Sequence, residues 1–158
     1  MKNTFKRSGA ALISLVLLLV LAVSAGAASS QNVGVKFWKE RSDKESMANS
    51  GIDPDRTATL TRQANGTYTL TLPVMQVSKL GVTGYLSGLT IGDVTYDGTL
   101  TGDFNKATAV LTTKTLPASV LTGSDVNKSV LVTCNIQMDL QVLGEINTSA
   151  RMCIWNQK

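Results

Sequence analysis

The chain has 158 residues, 43% hydrophobic, 5% aromatic and 16% charged, with a formal net charge of +4, two cysteines and no histidine. The lack of histidine excludes Ser-His-Asp and Cys-His catalysis and every imidazole metal site, and two cysteines alone cannot build a structural zinc site. Three of the positive charges, Lys2, Lys6 and Arg7, fall in an acid-free N-terminal stretch. Beyond it twelve basic residues meet eleven acidic ones, close to +1, so no nucleic-acid partner, which would need a basic patch, is expected.

Taken in chain order, residues 1–27 read as a secretory signal peptide. The positive start leads into an apolar run from Ala10 to about Val23, then into the small residues Ser24-Ala25-Gly26-Ala27-Ala28. Ala25-x-Ala27 fits a signal-peptidase site. The run is short for a retained span, which needs about 20 residues, and no cysteine follows it for a lipid anchor. After cleavage, residues 28–158 suit one exported domain with a core of its own. No further span and no wall-sorting signal is expected, which leaves the protein secreted or held at the cell envelope by something else.

The remaining chain has a period of two almost throughout. Val33, Val35 and Phe37 alternate with Gly34, Lys36 and Trp38 as a first strand. Asp43 to Gly51 is polar and reads as a loop or one short helical turn, and Asp53-Pro54-Asp55 is a turn signal. Arg56–Arg62 and Thr67–Leu72 form a hairpin around Ala64-Asn65-Gly66. A two-residue Asn-Gly turn would set Leu60 opposite Thr71, whereas a three-residue loop sets Leu60 opposite Leu70 and Ala58 opposite Leu72. Burial of one face favours the second register, with Gly66 left-handed.

Leu80–Ile91, Val94–Leu100 and Ala107–Thr115 follow as strands, and Pro117–Lys128 is a longer connection. From Val130 to Val142 apolar residues recur at every second position. Leu143-Gly144-Glu145 can turn this strand, and Ala150–Trp155 can return beside it. About eight such strands mean an all-β protein, an antiparallel β-sandwich or barrel.

The acidic residues are scattered, mostly at turns (Asp53, Asp55, Asp93, Asp97, Asp103, Asp125), and no glycine-rich loop opens a helix to cradle phosphate. Carboxylate-based hydrolysis is therefore a distant reading, and no enzyme activity is expected. Cys134 and Cys153 lie on the two strands of the last hairpin, with their midpoint at the expected turn. Export permits a disulfide between them. The alternatives are two buried thiols or a functional thiol, because Met152 and Ile154 compete with Cys153 and Trp155 for the inner face. Phe37 and Trp155 are expected in the core, whereas an exposed Trp38 would be an anchor for a partner protein.

Several stretches, in this order, resemble the NEAT-like domains of Gram-positive surface proteins. They are the strand Val35-Lys36-Phe37-Trp38, the loop Ser46-Met47-Ala48-Asn49, the Asn-Gly hairpin, and the strand end Leu72-Pro73-Val74-Met75-Gln76-Val77. Gly81 to Leu89 and the closing Ser149 to Trp155 complete the set. The resemblance implies an immunoglobulin-like sandwich associated with haem capture. Haem would lie against the last hairpin beneath a lip formed here by Ser46, Met47, Ala48 and Asn49. The Ser46 hydroxyl and lip N–H groups would bond a propionate, and Met47 would cover the porphyrin face. Haem-binding members ligate iron with a tyrosine from a YxxxY pattern on that hairpin, but Gln137 to Ser149 contains none. Tyr68, Tyr85 and Tyr96 all lie elsewhere. An axial ligand would have to be a methionine, a cysteine or a displaced tyrosine, with Met138, Leu140 and Met152 as haem contacts on the hairpin. The expected function is a secreted, non-enzymatic haem or tetrapyrrole binder in iron acquisition, with haem or a haem protein as partner. The alternative is an extracellular binding or adhesion module that contacts a protein or glycan.

Overall fold

The computed structural model describes residues 28–79, 82–103, 106–138 and 144–158. The expected signal peptide, its cleavage site, Leu140 and Val142 lie outside the described residues. Among the described residues nine strands carry the fold: β1 (Ser29–Lys39), β2 (Ala58–Arg62), β3 (Tyr68–Pro73), β4 (Val77–Lys79), β5 (Val82–Ile91), β6 (Val94–Thr101), β7 (Val110–Leu116), β8 (Val130–Met138) and β9 (Glu145–Asn156). A 3-10 turn, Met47–Gly51, sits between β1 and β2. Two more, Ala118–Val120 and Val126–Lys128, lie in the β7–β8 connection.

The strands run in the order β4-β5-β6-β7-β3-β2-β1-β9-β8, and β8 pairs back onto β5. All of the ladders between them are antiparallel. The expectation of an all-β antiparallel fold holds, but the sandwich is corrected. Eight strands close into a barrel, and β4 is an extra strand on β5. Closure depends on β5, which pairs with β8 from Gly84 to Thr90 while β4 and β6 share its other edge. A register shift between Leu86 and Gly88 marks a bulge there. An extra residue of this kind bends a strand and increases its twist, which lets a sheet curl onto itself.

The first hairpin folds as its pattern predicts. Leu60 pairs with Leu70, Gln63 N–H donates to Thr67 O at 2.8 Å, and Gly66 takes φ of +82°. That backbone region suits glycine, which has no Cβ to clash. Phe37, Leu60, Leu70, Leu72, Leu89, Leu111, Met152 and Ile154 are fully buried at the centre of the barrel. The alternate positions of the same strands face outward and are rich in threonine. Thr59, Thr71, Thr112 and Thr99 stand opposite one another across β2, β3, β7 and β6, and cross-strand neighbours of this kind contribute about 0.2–1 kcal/mol each.

Two aromatic assignments separate here. Phe37 is core, as expected. Trp155 instead alternates onto the outer face, opposite Gly34, where a side chain on Gly34 would strike its indole. Ile154 takes the inner position that Trp155 was expected to fill. Trp38 is half-buried, not an open anchor. The Lys36 ammonium lies 4.7 Å from its ring centroid, Lys36 also pairs with Glu45, and the indole Nε1 is buried without a hydrogen-bond partner.

The disulfide expectation is corrected as well. The last hairpin pairs Val130 with Met152 and Gln137 with Glu145, so Cys134 stands opposite Thr148. Cys153 lies five residues farther along β9, about 17 Å at the rise of a strand. The two cysteines also face opposite sides of the sheet. Cys134 points into the core, whereas Cys153 lies outside, beneath the Val126–Lys128 turn, with its Sγ 3.6 Å from Asp125 O. Both are buried free thiols.

Candidate functional site: an apolar groove at one end of the barrel

The inner face of the barrel remains open at one end. Val82, Gly84 and Leu86 of β5, Ile136 and Met138 of β8, and Ile146 and Thr148 of β9 line a groove there. Their shared face follows from register. Gly84 pairs with Met138, Leu86 with Ile136, and Ile136 with Ile146, and residues opposite one another in a ladder project to the same side. Met47, Ala48 and Gly51 of the first 3-10 turn and Val77 of β4 supply the other wall. The cavity is about 210 Å³, below the roughly 300–1,000 Å³ of pockets that engulf a drug-sized ligand. A groove of this size encloses only part of a ligand that large.

The lip is fastened by its own polar residues. Asn49 grips Phe37 from both sides, its Oδ1 accepting the Phe37 N–H at 2.8 Å and its Nδ2 donating to Phe37 O at 2.7 Å. Ser46 caps the 3-10 turn, its Oγ accepting the Ala48 N–H at 3.3 Å, and its own N–H donates to Phe37 O at 3.0 Å. Ser46 is 7% exposed. Ser46 and Asn49 therefore hold the lip on β1, while Met47 and Ala48 meet the groove. Met47 is 56% exposed and Ile146, on the facing strand, 42%, so the rim is apolar where it meets solvent.

Met138 lies at the groove, with its sulfur packed over Gly84; a Cβ built on Gly84 would come within 2.9 Å of that Sδ. Met152 does not reach the groove. It is fully buried in the core, paired with Phe37 and Val130, which corrects its expected role as a contact. Leu140 lies outside the described residues. Val77, Val82, Gly84, Ile136, Ile146 and Thr148 were not singled out from sequence. The alternation that marks β8 as a strand already places Ile136 on the face of Met138. The contributions of β4, β5 and β9 depend on pairings that no local pattern encodes.

The chemistry available is soft and neutral. The groove lining contains two methionines, an aliphatic hydroxyl on Thr148, and no ionisable side chain except Tyr85. Tyr85 borders the groove, but it pairs with Gln137, and strand alternation sets its side chain on the opposite face of β5 from Gly84 and Leu86. Cys134, two residues before Ile136, remains a thiol. Burial raises its pKa to about 12, so it offers no thiolate. Among the described residues no three His, Cys, Asp or Glu side chains gather as a metal site.

No family model matches the chain, and a search of curated proteins finds no match. Solved structures do match. The NEAT5 domain of IsdX2, a B. anthracis hemophore, solved in complex with haem, superposes with a TM-score of 0.53 at 11% identity. The match covers 83% of this chain and 98% of that one. A point mutant of the same domain, also with haem, matches with the same values. The fold is NEAT-like. At 11% identity the likeness extends to the backbone path and not to the side chains, so what the NEAT-like groove does in this chain depends on the residues already described.

Proposed function

We propose that this protein is an exported, non-enzymatic tetrapyrrole binder that serves iron acquisition, and that haem enters the groove between the Met47–Gly51 lip and the β8–β9 hairpin. The observation that carries this reading is an apolar groove with an apolar rim, set in a fold whose solved neighbours hold haem. Met47 and Ala48 would lie over one part of the ring. Ile136, Met138 and Ile146 would lie against another, so that burial of apolar surface at about 25 cal/mol per Å² drives binding. The residues present fit a flat apolar macrocycle. They do not supply the tyrosine with which haem-binding members of the resembled family ligate iron, and binding without it is weaker. Residues 1–27 would direct export and be removed, which would put the domain where a haem protein could meet it.

Titration of the purified protein with hemin tests the reading. The expected result is a saturable Soret shift, weakened by Met47→Ala and by Met138→Ala. A spectrum that only sums free hemin and protein would overturn it.

A further inference from the structure

A second cleft opens on the side of the barrel where β1 and β2 part. β1 pairs with β2 only from Ser29 to Val33, where Val33 meets Ala58, and then runs on beside β9. The segment 52–57 borders the gap, and a cavity of about 210 Å³ lies between it, Gly34 and Trp155. We infer that this cleft is a saccharide site, in which Trp155 stacks on one face of a neutral pyranose ring while Asp55 and Gln157 bond its hydroxyls. No residue of the cleft lines the groove at the lip, so the inference stands apart from the tetrapyrrole reading.

The indole is the first observation. Trp155 lies on the outer face of β9, and Gly34 is the reason it lies flat there. A Cβ built on Gly34 would come within 2.3 Å of both Cε2 and Cζ2 and 2.8 Å of Nε1. Equal approach to two bonded ring atoms, with Nε1 farther away, puts that point over the ring and not beside its edge. One face of the indole therefore rests on the Gly34 backbone, and the other turns away from the barrel. An aromatic face carries the negative part of the ring quadrupole. The C–H bonds on the flat side of a pyranose present partial positive charge to it. In a β-linked glucan the ring hydroxyls are equatorial, so both sides of each ring are C–H faces.

The polar groups are the second observation. The Arg56 guanidinium is engaged by Asp53 Oδ2, Val74 O and Ala109 O, which fixes that wall and cancels one carboxylate. Asp55 and Gln157 are held by their backbones: the Asp55 N–H donates to Asp53 Oδ1 at 3.0 Å, and the Gln157 N–H donates to Asn32 O at 3.0 Å. Both residues are exposed at the cleft, and among the described residues neither side chain makes a hydrogen bond or ion pair. A carboxylate accepts from hydroxyls, and an amide both donates and accepts. A few placed polar groups beside an apolar surface are what orients a small ligand. The unpaired carboxylate of Asp55 disfavours phosphates and acidic sugars, which leaves neutral ones.

Calorimetric titration of the purified protein with cellotriose tests this, with tetramethylammonium chloride as the cationic control. The expected result is saturable heat with cellotriose and none with the ammonium ion. Asp55→Ala, which removes an exposed carboxylate and keeps the backbone bond, should weaken cellotriose binding at least ~10-fold, the factor that one hydrogen bond to a charged group represents. Trp155→Leu should abolish it, with a circular dichroism spectrum like that of the parent protein. Should Trp155→Leu fail to fold, Asp55→Ala and Gln157→Ala still decide the matter. No heat with cellotriose at millimolar concentrations would overturn the inference, as would heat with tetramethylammonium alone. Cellotriose binding unmoved by Asp55→Ala and Gln157→Ala would remove this cleft as the site. None of these outcomes bears on the hemin titration.

Discussion

At the residue scale, the cysteines show what a strand pattern encodes and what it omits. Alternation along β8 correctly turns Cys134 inward with Val132 and Ile136. It does not say which residue of β9 stands opposite, because the register of a hairpin depends on where the chain turns. The expected turn at Leu143-Gly144 would have set Cys134 against Cys153. The pairing of Gln137 with Glu145 moves the centre of the hairpin toward β8 and brings Thr148 there instead. Trp155 follows the same logic: its parity on β9 sets it on the outer face over Gly34, and bulk alone did not reveal that. The thiols give a direct check. Cys134 ionises only near pH 12, and both thiols are buried, so the reactive thiolate is scarce and shielded. An alkylating reagent at pH 8 should leave the native protein's mass unchanged and add two adducts after unfolding in denaturant without reductant. Failure to label until reductant is added would establish a disulfide and contradict this fold.

At the scale of elements, the lip was legible as a motif but not as a device. Ser46-Met47-Ala48-Asn49 stood out in the sequence, and the resemblance assigned its polar residues to a ligand. In the structure they are engaged by the protein itself, because a five-residue 3-10 turn supplies too few internal hydrogen bonds to hold its own position. Asn49 satisfies both backbone groups of Phe37, and Ser46 satisfies the first turn. Asn49→Ala would leave the Phe37 N–H with no partner in a part-buried setting, which costs about 1–3 kcal/mol. Urea unfolding should therefore show a midpoint shift larger than that of Ser46→Ala, which loses one capping bond of roughly 1 kcal/mol. Because Asn49 carries Met47 and Ala48 with it, its loss should also weaken tetrapyrrole binding although its side chain faces β1. Equal midpoints for Asn49→Ala and the parent protein would show that the lip does not depend on this grip.

At the scale of the whole molecule, period two identified nearly every strand, yet it could not distinguish a sandwich from a barrel. Both architectures bury alternate residues. The difference is whether one strand finds a partner on each edge, and β5 does so only through a bulge and a long-range ladder to β8. A second long-range tie locks the lip side of this barrel. Arg56 donates to Ala109 O at 2.7 Å and to Val74 O at 3.3 Å, and its Nε donates to Asp53 Oδ2 at 2.7 Å. The segment after the lip is thus pinned to the end of β3 and to the residue before β7. Asp53 is almost wholly buried, and its carboxyl titrates below the usual range. Its hydrogen bond from Arg56 is the main cause, helped by the Asp55 N–H, and these outweigh desolvation. The sign follows from linkage. A depressed carboxylate pKa contributes stability in full above the unfolded value of about 3.9, and that contribution disappears as pH falls through the lower folded value. Asp53→Asn should therefore be less stable than the parent protein at pH 7, by about 1.5–3 kcal/mol for a charged hydrogen bond. The gap should narrow as the pH drops below about 4, where the carboxylate of the unfolded chain becomes protonated, and close only once the pH falls through the lower folded value. Urea melts of both proteins at pH 7, 5, 4 and 3 measure the gap directly. If it stayed constant across that series, Arg56 would be held by its two carbonyl acceptors and not by the charge of Asp53.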